Sequence, residues 1–229
     1  MKTIGLIGGM SWESSVHYYR LINQGVRAAR GGITSAPLVM HSFDFAEIAA
    51  MQTRGEWDEL GEKLADAARG LHDAGADALL ICTNTMHKLA DEVEEASPAS
   101  LIHIGDPLAD GVLGAGHTSV GLLGTRFTMN EPFYAERLAS RGLEVVLPQP
   151  EVRDELNRII FDELCAGQVK DTSRAFYCDV IADMADRGAQ SVALACTEIM
   201  LLVQPCDACL PTFDTTELHA AAAVDFVLT

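Results

Sequence analysis

Two short stretches hold the residues best suited to chemistry. Residues 81–87 read ICTNTMH and residues 195–201 read ACTEIML. Each follows an apolar run and opens on Cys-Thr, and the two cysteines, Cys82 and Cys196, lie about half a chain apart. A thiolate is both a nucleophile and a base. Two thiols on opposite sides of one substrate could take a proton from one face of a carbon and return one to the other. The reaction class suggested is racemisation or epimerisation at carbon. The bland reading of either cysteine alone is a small buried hydrophobe at a strand end.

An amino acid's α-hydrogen is a very weak acid, so its removal requires strong stabilisation of the transition state. No motif marks a Schiff-base lysine for a pyridoxal cofactor. A cofactor-free route needs N–H and O–H donors around the α-carboxylate, where charge develops as the proton leaves. Thr83, Asn84 and Thr85 beside Cys82, and Thr197 beside Cys196, are such donors, and Thr125 and Thr128 of GTRFTM could complete the set.

Elements at strand ends must hold these residues. Apolar runs (TIGLIGG, APLVMHSF, ADALLICT) alternate with amphipathic stretches, and the order recurs in SVGLLGT, EVVLP and AQSVALACT. Short apolar runs between helical patterns predict βαβ units, hence an α/β fold with parallel sheets. Cys82 lies 77 residues after Gly5 of GLIG, and Cys196 lies 75 after Gly121 of GLLG. That near-match predicts an internal duplication: two similar α/β lobes, each an open parallel sheet flanked by helices, related by pseudo-two-fold symmetry. The expected first lobe spans 1–98 plus 208–229 and the second 99–207, with the active site in the cleft between them. The tail then supplies a strand (PTFDT) and a closing helix (ELHAAAAVDFVL) to the first lobe. Each thiol would fall past a strand's carboxyl end at the start of a helix, where free N–H groups bind carboxylates and lower thiol pKa.

The set MKTIGLIGGMSWES, QTRGEW, CTNTMHK, LLGTRFTM and ACTEI closely resembles the aspartate/glutamate racemase family, pyridoxal-independent enzymes that use two cysteines. The resemblance runs from Met1 to PTFDT. It implies a two-lobed dimer in which one cysteine is the thiolate base and the other the thiol acid, the roles exchanging with substrate hand. By motif, Cys82 and Cys196 are the catalytic pair. The same resemblance implies that Thr83, Asn84, Thr85 and Thr197 would bind the α-carboxylate and amino group, with Met10 and Gln52 lining the pocket. Aspartate-specific relatives carry a Lys for the distal carboxylate where this chain has Cys165 in FDELCAGQ. Arg54 of QTRGEW is the candidate replacement, because a second carboxylate calls for a guanidinium, and Arg126 is the alternative. The expected substrate is an acidic amino acid, aspartate and/or glutamate, with no cofactor and no metal.

Composition narrows the field. A formal net charge of −17 excludes the clustered basic surface that nucleic acid needs. The resemblance implies a small acidic amino acid and a second copy of the chain as partners. No run of signal-peptide or membrane-spanning length occurs, so no membrane is expected and the expected location is the cytoplasm. Its six cysteines should be reduced there. The glycines of GLIGGM lack the G-x-G-x-x-G spacing of a dinucleotide site, and neither the lone Cys206-x-x-Cys209 nor the scattered histidines have metal spacing. Cys165 and Cys178, on helical patterns, and Trp12 and Trp57 read as core, and Ser11 and Ser14 as helix caps. His87 either lines the site or does not, and Glu198 either orients the neighbouring thiol or is a solvated helix-start acid. Two other functions fit the same residues: a single-thiol isomerase or decarboxylase of the same superfamily (maleate-isomerase-like), and a non-catalytic dicarboxylate-binding protein.

Overall fold

The computed structural model describes residues 1–229 and divides into two compact units, 1–104 with 219–229, and 105–218. In the first, β1 (Ile4–Gly8) leads to α1 (Trp12–Arg30), β2 (Leu38–Ser42), α2 (Phe45–Arg54), α3 (Trp57–Asp73) and β3 (Ala78–Ile81). A 3-10 turn (Thr85–Leu89), α4 (Ala90–Ala96) and β4 (Ser100–Leu101) come next. The second contains α5 (Gly105–Gly114), β5 (Ser119–Gly124), α6 (Arg126–Asn130), α7 (Pro132–Ser140), β6 (Glu144–Val146), α8 (Pro150–Arg158) and α9 (Asp171–Asp186). It continues through β7 (Ser191–Ala195), α10 (Ile199–Leu202), β8 (Thr212–Asp214) and the start of α11 (Thr215–Leu228), which from His219 onward belongs to the first unit.

The strand orders, β2-β1-β3-β4 and β6-β5-β7-β8, are the same order twice, and every pairing is parallel. Strands β1, β3, β5 and β7 are buried throughout, as their unbroken apolar runs require of a strand covered on both faces. In the first sheet, alternation sends Ile4, Leu6, Ala78 and Leu80 toward Tyr18, Ile22 and Val26 of α1 and Ala220, Ala223 and Val227 of α11. Ile7, Leu79 and Ile81 face the other way, into a cluster with Leu60, Leu64 and Leu71 of α3. Each fully buried aliphatic side chain contributes about 1.5–3 kcal/mol against solvent exposure.

The duplication extends to detail. A Cβ on Gly8 would stand 2.7 Å from Ser15 Oγ, and one on Gly124 would stand 3.0 Å from Thr128 Cβ, so each glycine lets the next helix close onto its strand. Gly75 and Gly188 end the helices before β3 and β7 at φ of +95° and +100°, a conformation L side chains rarely adopt.

Three boundaries differ from the sequence expectation. The PTFDT strand is β8, which pairs with β7 through Val192↔Thr212, Ala193↔Phe213 and Leu194↔Asp214, so 208–218 stays in the second unit and only the rest of the helix returns to the first. Residues 99–104 belong to the first unit, because β4 pairs with β3. The stretch FTMNEPFYAERLASRG after β5, a single amphipathic pattern in the sequence, forms two helices, α6 and α7, because the residue before Pro132 is pushed out of the α region.

Candidate active site

Cys82 comes directly after β3, and its N–H donates to Ile7 O of β1 at 2.9 Å. The chain leaves β1 for β2 on one side and β3 for β4 on the other, so this carboxyl end is the topological switch point of the sheet, where open α/β folds bind ligands. The Cys82 side chain continues the Ala78–Leu80 alternation into the face covered by α1 and α11 and is fully buried. Burial pushes its thiol pKa up, opposite to the lowering expected from a helix start. The segment after Cys82 is a short 3-10 turn rather than an α-helix, and its field is too weak to offset desolvation.

His87 anchors that turn. Its Nδ1 lies 2.8 Å from Thr83 O, and its Nε2 accepts from Ile104 N–H at 3.1 Å. An amide nitrogen only donates, so Nε2 is the bare nitrogen and Nδ1–H donates to Thr83. The ring is buried against His103 and His219, with centroids 4.6 and 5.6 Å away. Burial, and after it the fields of those two rings, hold its pKa well below the usual value. His219 is fixed between Tyr18 Oη (2.8 Å) and Ile102 O (2.6 Å). Sequence spacing left the role of His87 open and gave no hint that residues 87, 103 and 219 converge.

Asn84 and Thr85 are buried within the turn, and Thr83 is half-buried. Met10 packs in the cluster that contains Met51 and Met86, and Gln52 Nε2 donates to Met86 Sδ at 3.0 Å, which ties α2 to the turn. Arg54 sits otherwise: it is exposed at the end of α2, and Glu56 grips its guanidinium through Nε (2.6 Å) and Nη2 (2.7 Å). A distal carboxylate would have to displace Glu56 to use it.

In the second unit, Cys196 comes directly after β7, the counterpart of β3. Gly124 pairs with Ala195, so Thr125 and Cys196 leave adjacent strand ends. Thr125 caps α6, its Oγ1 facing Thr128 N at 3.5 Å and Thr128 Oγ1 at 3.3 Å, and both threonines are buried. Cys196 is half-buried, and its Sγ–H donates to Glu198 Oε2 at 3.0 Å. Thr197 Oγ1 donates to the same oxygen at 2.8 Å. Burial first, and then the Glu198 carboxylate, push the Cys196 thiol well up. Of the two sequence readings of Glu198, the structure selects the one in which it orients the thiol. The helix after Cys196, α10, spans four residues.

Cys165 is exposed in a 3-10 turn that Gly167 closes, not in the core. The preceding α8 passes into a π-type turn that ends the regular helix before Cys165 is reached. The neighbouring cations are occupied: buried Glu163 accepts from Ser173 Oγ (2.6 Å) and Arg158 (2.9 Å) and pairs with Lys170 (3.3 Å). The Ser173 hydroxyl foremost holds that carboxyl below its usual range. Cys178 is half-buried and donates to Asp207 O at 3.3 Å. Trp12 is 63% exposed, so it is not core, and Trp57 is half-buried with Lys88 Nζ 3.9 Å above its ring. Ser11 caps α1 by accepting from Ser14 N–H, so of the two serines Ser11 is the cap.

All six cysteines are free, no group of three or more His, Cys, Asp or Glu side chains is arranged to hold a metal ion, and no helix is long and apolar enough to cross a membrane. Each unit thus presents a thiol at a sheet switch point with threonine hydroxyls on the adjoining turns. That equipment suits a bound carboxylate and proton transfer beside it.

Comparison with known proteins bears on that chemistry. Residues 7–223 match the model of the Asp/Glu/Hydantoin racemase family. The chain is similar along its full length to a candidate Asp/Glu racemase from Yersinia pestis, at 47% identity, with 100% of both chains covered and a TM-score of 0.95. It is also similar to an aspartate racemase homologue from Pyrococcus horikoshii OT3, at 33% identity, 100% coverage of both chains and a TM-score of 0.87. An aspartate racemase from Picrophilus torridus shares the fold at 19% identity, with 99% of this chain and 94% of that chain covered and a TM-score of 0.77.

Proposed function

Because this chain belongs to the Asp/Glu/hydantoin racemase family, we propose that it interconverts the L and D forms of an acidic amino acid, aspartate and/or glutamate, without a cofactor, with Cys82 and Cys196 as its two bases. The observation that carries this reading is the equivalence of the two thiols: each is the first residue after the third strand of the same four-strand order. A one-base reaction leaves the second thiol without a role.

Chemically, one thiolate takes the α-proton while the other thiol gives its proton to the opposite face. Burial makes both thiols poor acids at rest and, once ionised, strong bases. The substrate's ammonium group brings the positive charge that favours the thiolate as it binds. Thr83, Asn84, Thr85 and Thr197 meet the α-carboxylate and amino group, with Thr125 and Thr128 completing the donor set and Met10 and Gln52 lining the pocket. Arg54 receives the distal carboxylate by exchanging its bond to Glu56. We place the enzyme in the reducing cytoplasm, where exposed Cys165, Cys206 and Cys209 stay thiols. It acts as a homodimer, with a mass in solution twice 24.6 kDa.

The test is proton NMR of the pyridoxal-free protein with L-aspartate, then L-glutamate, in D2O, with chiral chromatography of the same samples. Loss of the α-proton signal with appearance of the D form is expected, and Cys82→Ser and Cys196→Ser should each abolish it in both directions. Turnover in either variant would sink the two-base assignment and favour a single-thiol isomerase or decarboxylase. Saturable binding without exchange at the α-carbon would leave a dicarboxylate-binding protein.

A further inference from the structure

The two thiols occupy equivalent places, but the residues two positions on do not match: Asn84 comes after Cys82-Thr83, and Glu198 after Cys196-Thr197. Glu198 Oε2 stands 3.0 Å from Cys196 Sγ and 2.8 Å from Thr197 Oγ1. A carboxylate oxygen only accepts, so this geometry requires the proton to sit on Cys196. From it we infer that Glu198 is a positioning residue that keeps Cys196 protonated in the resting protein, so that Cys196 enters turnover as the proton donor and Cys82 as the base. The consequence for turnover rests on the racemase reading above, while the protonation of Cys196 does not.

The physical reason is repulsion between like charges. A thiolate at Cys196 would put two anions within hydrogen-bond distance, whereas ionised Cys82 has a neutral amide at the matching position. The other groups around Cys196 do not reverse this. The hydroxyl of Tyr177 on α9 donates to Leu156 O at 3.1 Å and is itself held neutral by burial. The Cys165 thiol adds to the upward push on Cys196. The Glu198 backbone N–H works the other way, favouring the thiolate, but it is weaker than burial and the carboxylate together.

The proton account closes over a cycle. The Cys82 thiolate takes the α-proton, the electron pair of the broken C–H bond delocalises into the substrate carboxylate, and the Cys196 thiol delivers its proton to the opposite face. Cys82 is then a thiol and Cys196 a thiolate beside Glu198. Cys82 gives its own proton to water as the substrate binds, and gain of one proton from water by Cys196 afterwards restores the resting form, in which both groups are thiols. Because the two enantiomers have equal free energy, kcat/KM must be equal for both hands. The asymmetry therefore appears in the separate kcat and KM values.

The experiment is alkylation of the intact protein by iodoacetamide near pH 8, tracked residue by residue with peptide mass spectrometry, in the wild type and in Glu198→Gln, Glu198→Ser and Glu198→Asp. The reagent reads thiolate even when the ionised fraction is small. Cys196 should react about tenfold faster in the Gln and Ser variants, the equivalent of about one pH unit in its titration, with exposed Cys206 unchanged as the reference. The Asp variant opens more space than Gln but keeps the charge, so it should stay near the wild-type rate, which separates charge from access. An unchanged or slower Cys196 in both neutral variants, or an Asp variant as fast as Gln, overturns the inference. A wild type that does not racemise acidic amino acids would sink the racemase reading and leave this result standing.

Discussion

Asp214, at the end of β8, is the clearest place to test the electrostatics of the second unit. Its Oδ1 caps α11 by accepting from Thr216 N at 2.8 Å and Glu217 N at 3.3 Å, while its Oδ2 is buried without a partner. Burial pushes the carboxyl up to about 6, from an ordinary 3.8. An acid whose folded pKa exceeds its unfolded value destabilises the fold as pH rises, because the unfolded chain ionises first. The penalty therefore grows from about pH 4 and is complete just above pH 6. At about 1.4 kcal/mol per pH unit, it amounts to about 3 kcal/mol. Asp214→Asn keeps the accepting oxygen and removes the charge, and its amide replaces the acid O–H that the folded wild type carries at low pH. Urea unfolding of both proteins at pH 4.5, 6 and 7.5 should show near-equal stability at the lowest pH and a variant more stable by about 2–3 kcal/mol at the highest. A difference that does not change with pH would refute the reasoning. All other groups are common to both proteins and cancel in the comparison.

His87 acts with the opposite sign. Its folded pKa lies below the unfolded value of about 6.5, so acidification protonates the unfolded chain first, and stability should fall by about 1.4 kcal/mol per pH unit below pH 6.5. His87→Gln, compared by the same unfolding assay, should start less stable and lose less between pH 6.5 and 5. Parallel curves would mean that the ring takes up its proton in the folded state without cost. Gly9→Ala should prevent folding: φ there is +82°, and a Cβ would stand 2.3 Å from both the N and O of Phe43. Circular dichroism of the purified variant decides this, and a native spectrum with an unchanged melting temperature would contradict the packing described.

The sequence by itself determined the α/β class, the repeated half and the pair of thiols at strand ends, because these depend on local pattern. Unbroken apolar runs specify strands covered on both faces, and GLIG and GLLG mark where a helix must come close to a strand. The placement of PTFDT was not legible, since its pairing with β7 is a long-range choice of neighbour that any short apolar strand could satisfy. The helix after β5 was half legible, because Pro132 could have been read as a break. Only the tertiary structure decided the surroundings of the site. It brought His87, His103 and His219 together from distant parts of the chain, closed Glu56 over Arg54 and left Cys165 at the surface. It also reversed the expected direction of both thiol pKa values. A thiol's proton affinity depends on how much water and which charges remain around it, and those are fixed by packing rather than by the spacing of residues along the chain.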